Sequence, residues 1–147
     1  MRTRKGVCIL LTRQTENGPK GFVGKSSRGG WKLVQGGRKK EDRSFRQTAL
    51  RELKEETGLG EEDLEFLEET GLKNRFRFGG DRETEPYRGI QRCFIAGMKD
   101  NRKIETNHEF REHSFLCEKE MVERVDHINL EKMVEKMWSE ARKRHSF

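Results

Sequence analysis

The chain has no apolar run longer than residues 7–11, only three cysteines, and few apolar residues of any kind. Each shortage removes a class of protein. Cys8, Cys93 and Cys117 are odd in number and form no C-x-x-C pair, so neither a disulfide framework nor a thiolate zinc site is indicated; they read as reduced core residues. The basic start, Met1-Arg-Thr-Arg-Lys, precedes an apolar stretch that stops at Thr12, too short for a signal segment or a membrane span. A soluble cytoplasmic protein with no membrane partner is the expectation. The hydrophobic share is 31% against 39% charged, a balance that raises the question of disorder. Local pattern answers it, because apolar clusters recur at 7–11, 93–96 and 130–138.

What is present is charge. A formal net charge of +6 with a pI near 9.4 favours an anionic partner such as a nucleotide or RNA, although the same excess also serves solubility. At 147 residues the chain suits one domain spanning 1–147 and one site.

Strands are expected at 7–12, 21–25 and 31–34, and a glycine pair, Gly36 and Gly37, leads into a charged loop. Ser44 and Gln47 have the spacing of a helix N-cap with its reciprocal partner, and the helix should stop at Gly58. Further strands are expected at 64–72, 75–78, 90–96 and 110–117, with an exposed loop at 79–86. Leu130, Met133, Val134, Met137, Trp138 and Ala141 follow helical spacing. Strands interrupted by two separated helices imply a mixed sheet with helices packed on it, an α/β fold.

The chemistry concentrates in the first helix. At about 100° per residue, Glu52, Glu55 and Glu56 fall within about a 100° arc, beside an apolar stripe of Ala49, Leu50 and Leu53. Like-charged neighbours at such spacing cost only about 0.2 to 0.5 kcal/mol, so a solvated acidic face shows the same pattern. The surroundings favour more than that. Arg51 can brace Glu52 or reach Glu55, and the glycine pair lets backbone carbonyls approach a hard cation such as Mg²⁺. Oxygen-only ligands suit that ion, which activates water and neutralises a diphosphate.

The segment resembles the Nudix box, G-x5-E-x7-R-E-U-x-E-E-x-G-U with U aliphatic, at Gly37, Arg51, Glu52, Leu53, Glu55, Glu56, Gly58 and Leu59. Two positions depart from it: Arg43 stands where the first glutamate is expected, with Glu41 and Asp42 beside it as substitutes, and Val34 replaces the lead-in proline. The stretch from Trp31 through Gln35 to the glycine pair, and Glu109-Phe-Arg-Glu-His-Ser-Phe115, are similar to segments of RNA 5′-pyrophosphohydrolases and diadenosine tetraphosphate hydrolases.

The resemblance implies a Nudix-type α/β/α sandwich and Mg²⁺-dependent pyrophosphohydrolase activity, with Mn²⁺ as an alternative ion. It implies Glu52, Glu55, Glu56, the Gly37 carbonyl and Glu109 as metal ligands, with Glu105 and Glu112 in reserve for Glu109. Arg51 would orient Glu52, for which general base is the alternative role to metal ligand. Dinucleoside polyphosphates or a 5′-triphosphorylated RNA end are the favoured substrates, ahead of nucleoside triphosphates; the alternative to an enzyme is a Nudix module that binds nucleotide or RNA without cleaving it. Lys25, Arg28, Lys32, Arg75, Arg77 and Arg88 are candidates for phosphate contacts, although each taken singly is better read as a solvated surface residue.

Overall fold

The computed structural model describes residues 2–27, 29–78, 86–107, 110–125 and 130–147. Arg28, His108, Glu109 and residues 79–85 of the expected loop lie outside the described residues.

Strand β1 (Arg2–Thr15) is the spine. Its segment 7–11 is branched and apolar throughout, which suits a strand covered on both faces, and every one of those side chains is buried. Along one edge β1 runs parallel to β6 (Tyr87–Met98), in register from Arg2↔Tyr87 to Thr12↔Gly97. The other edge is shared. Residues 6–9 pair with β4 (Val34–Gly37), and residues 12–15 pair with β2 (Gly18–Ser26). Strand β2 also pairs with β3 (Trp31–Lys32) and β7 (Phe110–Leu116), and β5 (Leu64–Phe78) closes the far side of β6.

Alternation along β1 then assigns the layers. Val7, Ile9 and Leu11 pack with Ala49 and Leu53 of helix α1 (Phe45–Thr57). Cys8 and Leu10 pack with Met121 of α2 (Glu118–Arg124) and with Val134, Met137 and Trp138 of α3 (Leu130–Arg144). The result is the expected α/β/α sandwich on a mixed sheet. In the second layer the Trp138 indole N–H donates to the Met121 sulfur at 3.3 Å. Among the described residues no helix is long and apolar enough to cross a membrane. All three cysteines are free; Cys8 and Cys93 are buried register partners on neighbouring strands, and Cys117 is half-buried.

Three local readings differ from the sequence expectation. Residues 64–72 and 75–78 belong to one strand, bent where the register shifts between Glu69 and Lys73, next to Gly71 at φ 86°. Residues 31–34 divide between β3 and β4, and β4 runs on past residue 34 through the glycine pair. Helix α2 has no counterpart in the sequence reading.

Candidate active site

Helix α1 is anchored at both ends by local chemistry. The Ser44 hydroxyl accepts from the Gln47 backbone N–H at 3.1 Å, while the Gln47 side chain reaches back to the Arg43 N–H at 2.8 Å, one residue earlier than the reciprocal bond expected at Ser44. At the other end Gly58 takes φ 77° and its N–H donates to the Lys54 carbonyl, a left-handed cap that costs a side chain about 1 kcal/mol or more.

Against this helix lies β4, and the contact between them is a bare backbone. A Cβ on Gly36 would fall inside the Glu52 carboxylate, touching its carbon and both oxygens. Glycine here is a steric requirement. Glu52 is 8% exposed and Glu56, one turn on, 3%, and the two carboxylates share a hydrogen bond. Burial pushes the Glu52 pKa up, against the lowering effect of its bonds to Glu56 and Arg51.

Arg51 organises the rest. Its Nη1 donates to Glu52 Oε1 at 2.8 Å and reaches Glu55 at 3.4 Å, its Nη2 donates to the Gly37 carbonyl at 2.7 Å, and Nε and Nη2 together grip Asp42 at 3.2 and 2.8 Å. Arg43 and Glu41 are exposed, whereas Asp42, the other acid beside Arg43, is buried and paired with Arg51. Asp42 also accepts from the Lys39 N–H at 2.9 Å and the Thr48 hydroxyl at 3.0 Å. Its donors leave it little capacity for a cation, so it acts by fixing Arg51.

The guanidinium holds the Asp42 carboxyl well below the ordinary value of 3.8. A depressed folded pKa adds stability that is complete above that value and is lost as the pH falls below it. We expect Asp42→Asn to lower stability by about 2 to 3 kcal/mol at neutral pH, because charge-assisted bonds to a buried carboxylate are lost. Its melting temperature should also fall less steeply than the parent's below pH 4. Thermal melts from pH 7 to pH 3 check this; identical curves for the two proteins would remove Asp42 from the account.

The predicted site residues thus divide. Glu52 and Glu56 meet, while Glu55 is half-exposed and drawn to Arg51. Among the described residues no three His, Cys, Asp or Glu side chains form a ready metal cluster. The Gly37 carbonyl faces Arg51, and Glu109 is outside the described residues. Of the reserve carboxylates, Glu105 sits past the helix end, its N–H donating to the Thr57 carbonyl at 2.8 Å, and Glu112 pairs with Lys25 at 3.5 Å. Gln35 belongs to the opposite face, where it accepts from Gln91. His113 stacks on Phe22 with ring centroids 5.7 Å apart. The sequence pairs Arg51 with Glu52 or Glu55 and does not single out Asp42, which the structure adds as a further partner.

The family model described as NUDIX domain matches residues 1–137. The chain belongs to the Nudix hydrolase family. As a Nudix hydrolase it is an enzyme of the pyrophosphohydrolase type. Among solved structures, an Ap4A hydrolase from C. elegans superposes with a TM-score of 0.77 at 14% identity, over 95% of this chain and 98% of that one. The NUDIX domain of Shewanella oneidensis NrtR, complexed with ADP ribose, gives 0.73 at 17% identity over 98% and 89%. The E. coli dihydroneopterin triphosphate pyrophosphohydrolase gives 0.74 at 15% identity over 92% and 97%. No curated protein sequence matches the chain. At these identities the structural likeness shows the fold.

Proposed function

We propose that this Nudix hydrolase cleaves a diphosphate linkage in a nucleotide-like substrate, with Mg²⁺ or Mn²⁺ bound at α1, and that its substrates are dinucleoside polyphosphates or 5′-triphosphorylated RNA. The observation that carries this reading is the Glu52 and Glu56 pair, two hydrogen-bonded carboxylates of which Glu52 lies against the bare backbone of Gly36. Two buried acids at hydrogen-bond range repel each other unless a proton or a cation lies between them.

The donor set suits a hard divalent ion, being oxygen throughout and close to backbone. Glu52, Glu56 and Glu55 would hold it, with the Gly37 carbonyl, and the sequence resemblance nominates Glu109 as a further carboxylate. When bound, such an ion lowers the pKa of a water and offsets charge on the diphosphate oxygens. The remaining work belongs to the protein. Water adds to one phosphorus, the bridging P–O bond breaks, and the proton leaving the water needs an acceptor. Glu52 would take that role as the alternative to metal ligation, a reading supported by Arg51 and Gly36, which fix its carboxylate in one position.

Purified protein incubated with diadenosine tetraphosphate, 5′-triphosphorylated RNA, nucleoside triphosphates and ADP ribose should release phosphate, pyrophosphate or nucleotide only when Mg²⁺ or Mn²⁺ is present. The first two substrates should have the highest kcat/KM. An absence of metal-dependent release from the whole panel would reject the proposal.

A further inference from the structure

Rows across β1, β6 and β5 can be read from the register. Gly36, Val7, Arg92 and Lys73 form one row, Lys5, Ile90 and Arg75 the next, and Thr3, Arg88 and Arg77 a third. Residues opposite one another share a face, and alternate rows return to it. Val7 faces α1 and Gly36 faces Glu52, so all three rows lie on the face that carries the site.

This face bears six cations, Lys5, Lys73, Arg75, Arg77, Arg88 and Arg92. Two pairs of them stand directly opposite each other, Lys73 with Arg92 and Arg77 with Arg88. Like charges opposite one another weaken a sheet. Only Arg92 is compensated among the described residues, through Glu69 at 3.4 Å and the Phe45 ring at 4.1 Å. Lys5, Lys73, Arg75, Arg77 and Arg88 are exposed and pair with no described carboxylate.

We propose that this ladder is a track for the phosphate backbone of single-stranded RNA, so that the site takes an RNA 5′ end in preference to a free nucleotide. The inference rests on the proposed function and narrows it. Cations on one face of a strand recur about every 6.7 Å, a spacing that the phosphates of an extended strand can follow. From the first row to the third the ladder runs about 13 Å. A triphosphate whose anhydride sits at Glu52 has no need of charge over that length, whereas a polynucleotide entering 5′ end first does. The first row contains Gly36, the residue under the Glu52 carboxylate, so the ladder leads into the site. Phosphate contacts of this kind orient a strand without reading its bases.

The test compares the parent with an Arg75→Gln/Arg77→Gln/Arg88→Gln variant, using a short 5′-triphosphorylated RNA and ATP with Mg²⁺. For RNA, KM should rise at least tenfold with kcat within twofold, while ATP hydrolysis stays within twofold. Binding of the matching 5′-monophosphorylated RNA, followed by fluorescence anisotropy, should lose roughly 2 from its log-log salt slope. The variant should melt no lower than the parent, because opposed charges have been removed. Unchanged RNA kinetics, an equal loss for RNA and ATP, or tighter parent binding to phosphatidylserine vesicles than to RNA would each overturn the track. If the parent cleaves no diphosphate, the functional proposal fails on its own and anisotropy still decides: RNA binding lost in the variant supports the track, and equal binding rejects it.

Discussion

Glu56→Gln should lower kcat/KM at least about 1,000-fold while leaving the fold intact and the metal-free protein as stable as the parent, or more so. Glu56 is 3% exposed and hydrogen-bonded to Glu52, so the substitution removes a charge from a confined site while keeping the side chain's shape. Loss of one electrostatic group at a reacting centre costs about 100- to 1,000-fold, and loss of a metal ligand adds to that. The stability arm separates function from structure. A carboxylate kept for packing or pairing would destabilise the protein when neutralised, whereas one kept to hold a cation relieves repulsion. Calorimetry should show Mn²⁺ affinity reduced at least tenfold. Undiminished turnover by this variant would end the assignment of α1 as the metal-binding element.

Gly36→Ala is expected to be nearly as damaging by a different route. The added methyl group would overlap the Glu52 carboxylate, so either the side chain leaves its position or α1 lifts from β4. Overpacking of this sort costs about 1 to 3 kcal/mol, and displacement of a reacting carboxylate by about 1 Å costs on the order of 100-fold in rate. Gly37→Ala makes a sharp control for stability. Its Cβ would meet nothing closer than the Lys5 carbonyl at 3.9 Å, so melting should be unchanged. Equal effects at the two glycines would show that the carboxylate does not rest on the Gly36 backbone.

Legibility in the sequence followed how local each signal was. The limits of α1 were readable because Ser44 and Gly58 punctuate it through bonds to residues three or four away. The meeting of Glu52 with Glu56 follows from i, i+4 spacing alone. Glu55 shares their arc but not their company, since Arg51 lies between and draws it outward; a side-chain rotamer is not written in periodicity. Helix α2 escaped because it is seven residues long with Met121 its only fully buried side chain, too little for a periodic pattern. Strand β5 read as two because Lys73 and Asn74 interrupt its apolar pattern, and pairing with β6 carries the strand through them. The stand-in for the missing box glutamate could be narrowed to Glu41 or Asp42 by position, but nothing in the sequence joins either to Arg51. Only the hydrogen bonds from Lys39 and Thr48 select Asp42.

One guanidinium touches the loop before α1, the end of β4 and the helix itself. Ordering that loop and choosing the Glu52 rotamer are therefore a single event, completed as the polypeptide acquires its tertiary contacts. An arriving ligand meets a carboxylate already aimed, and the entropy of aiming it is not charged against the encounter.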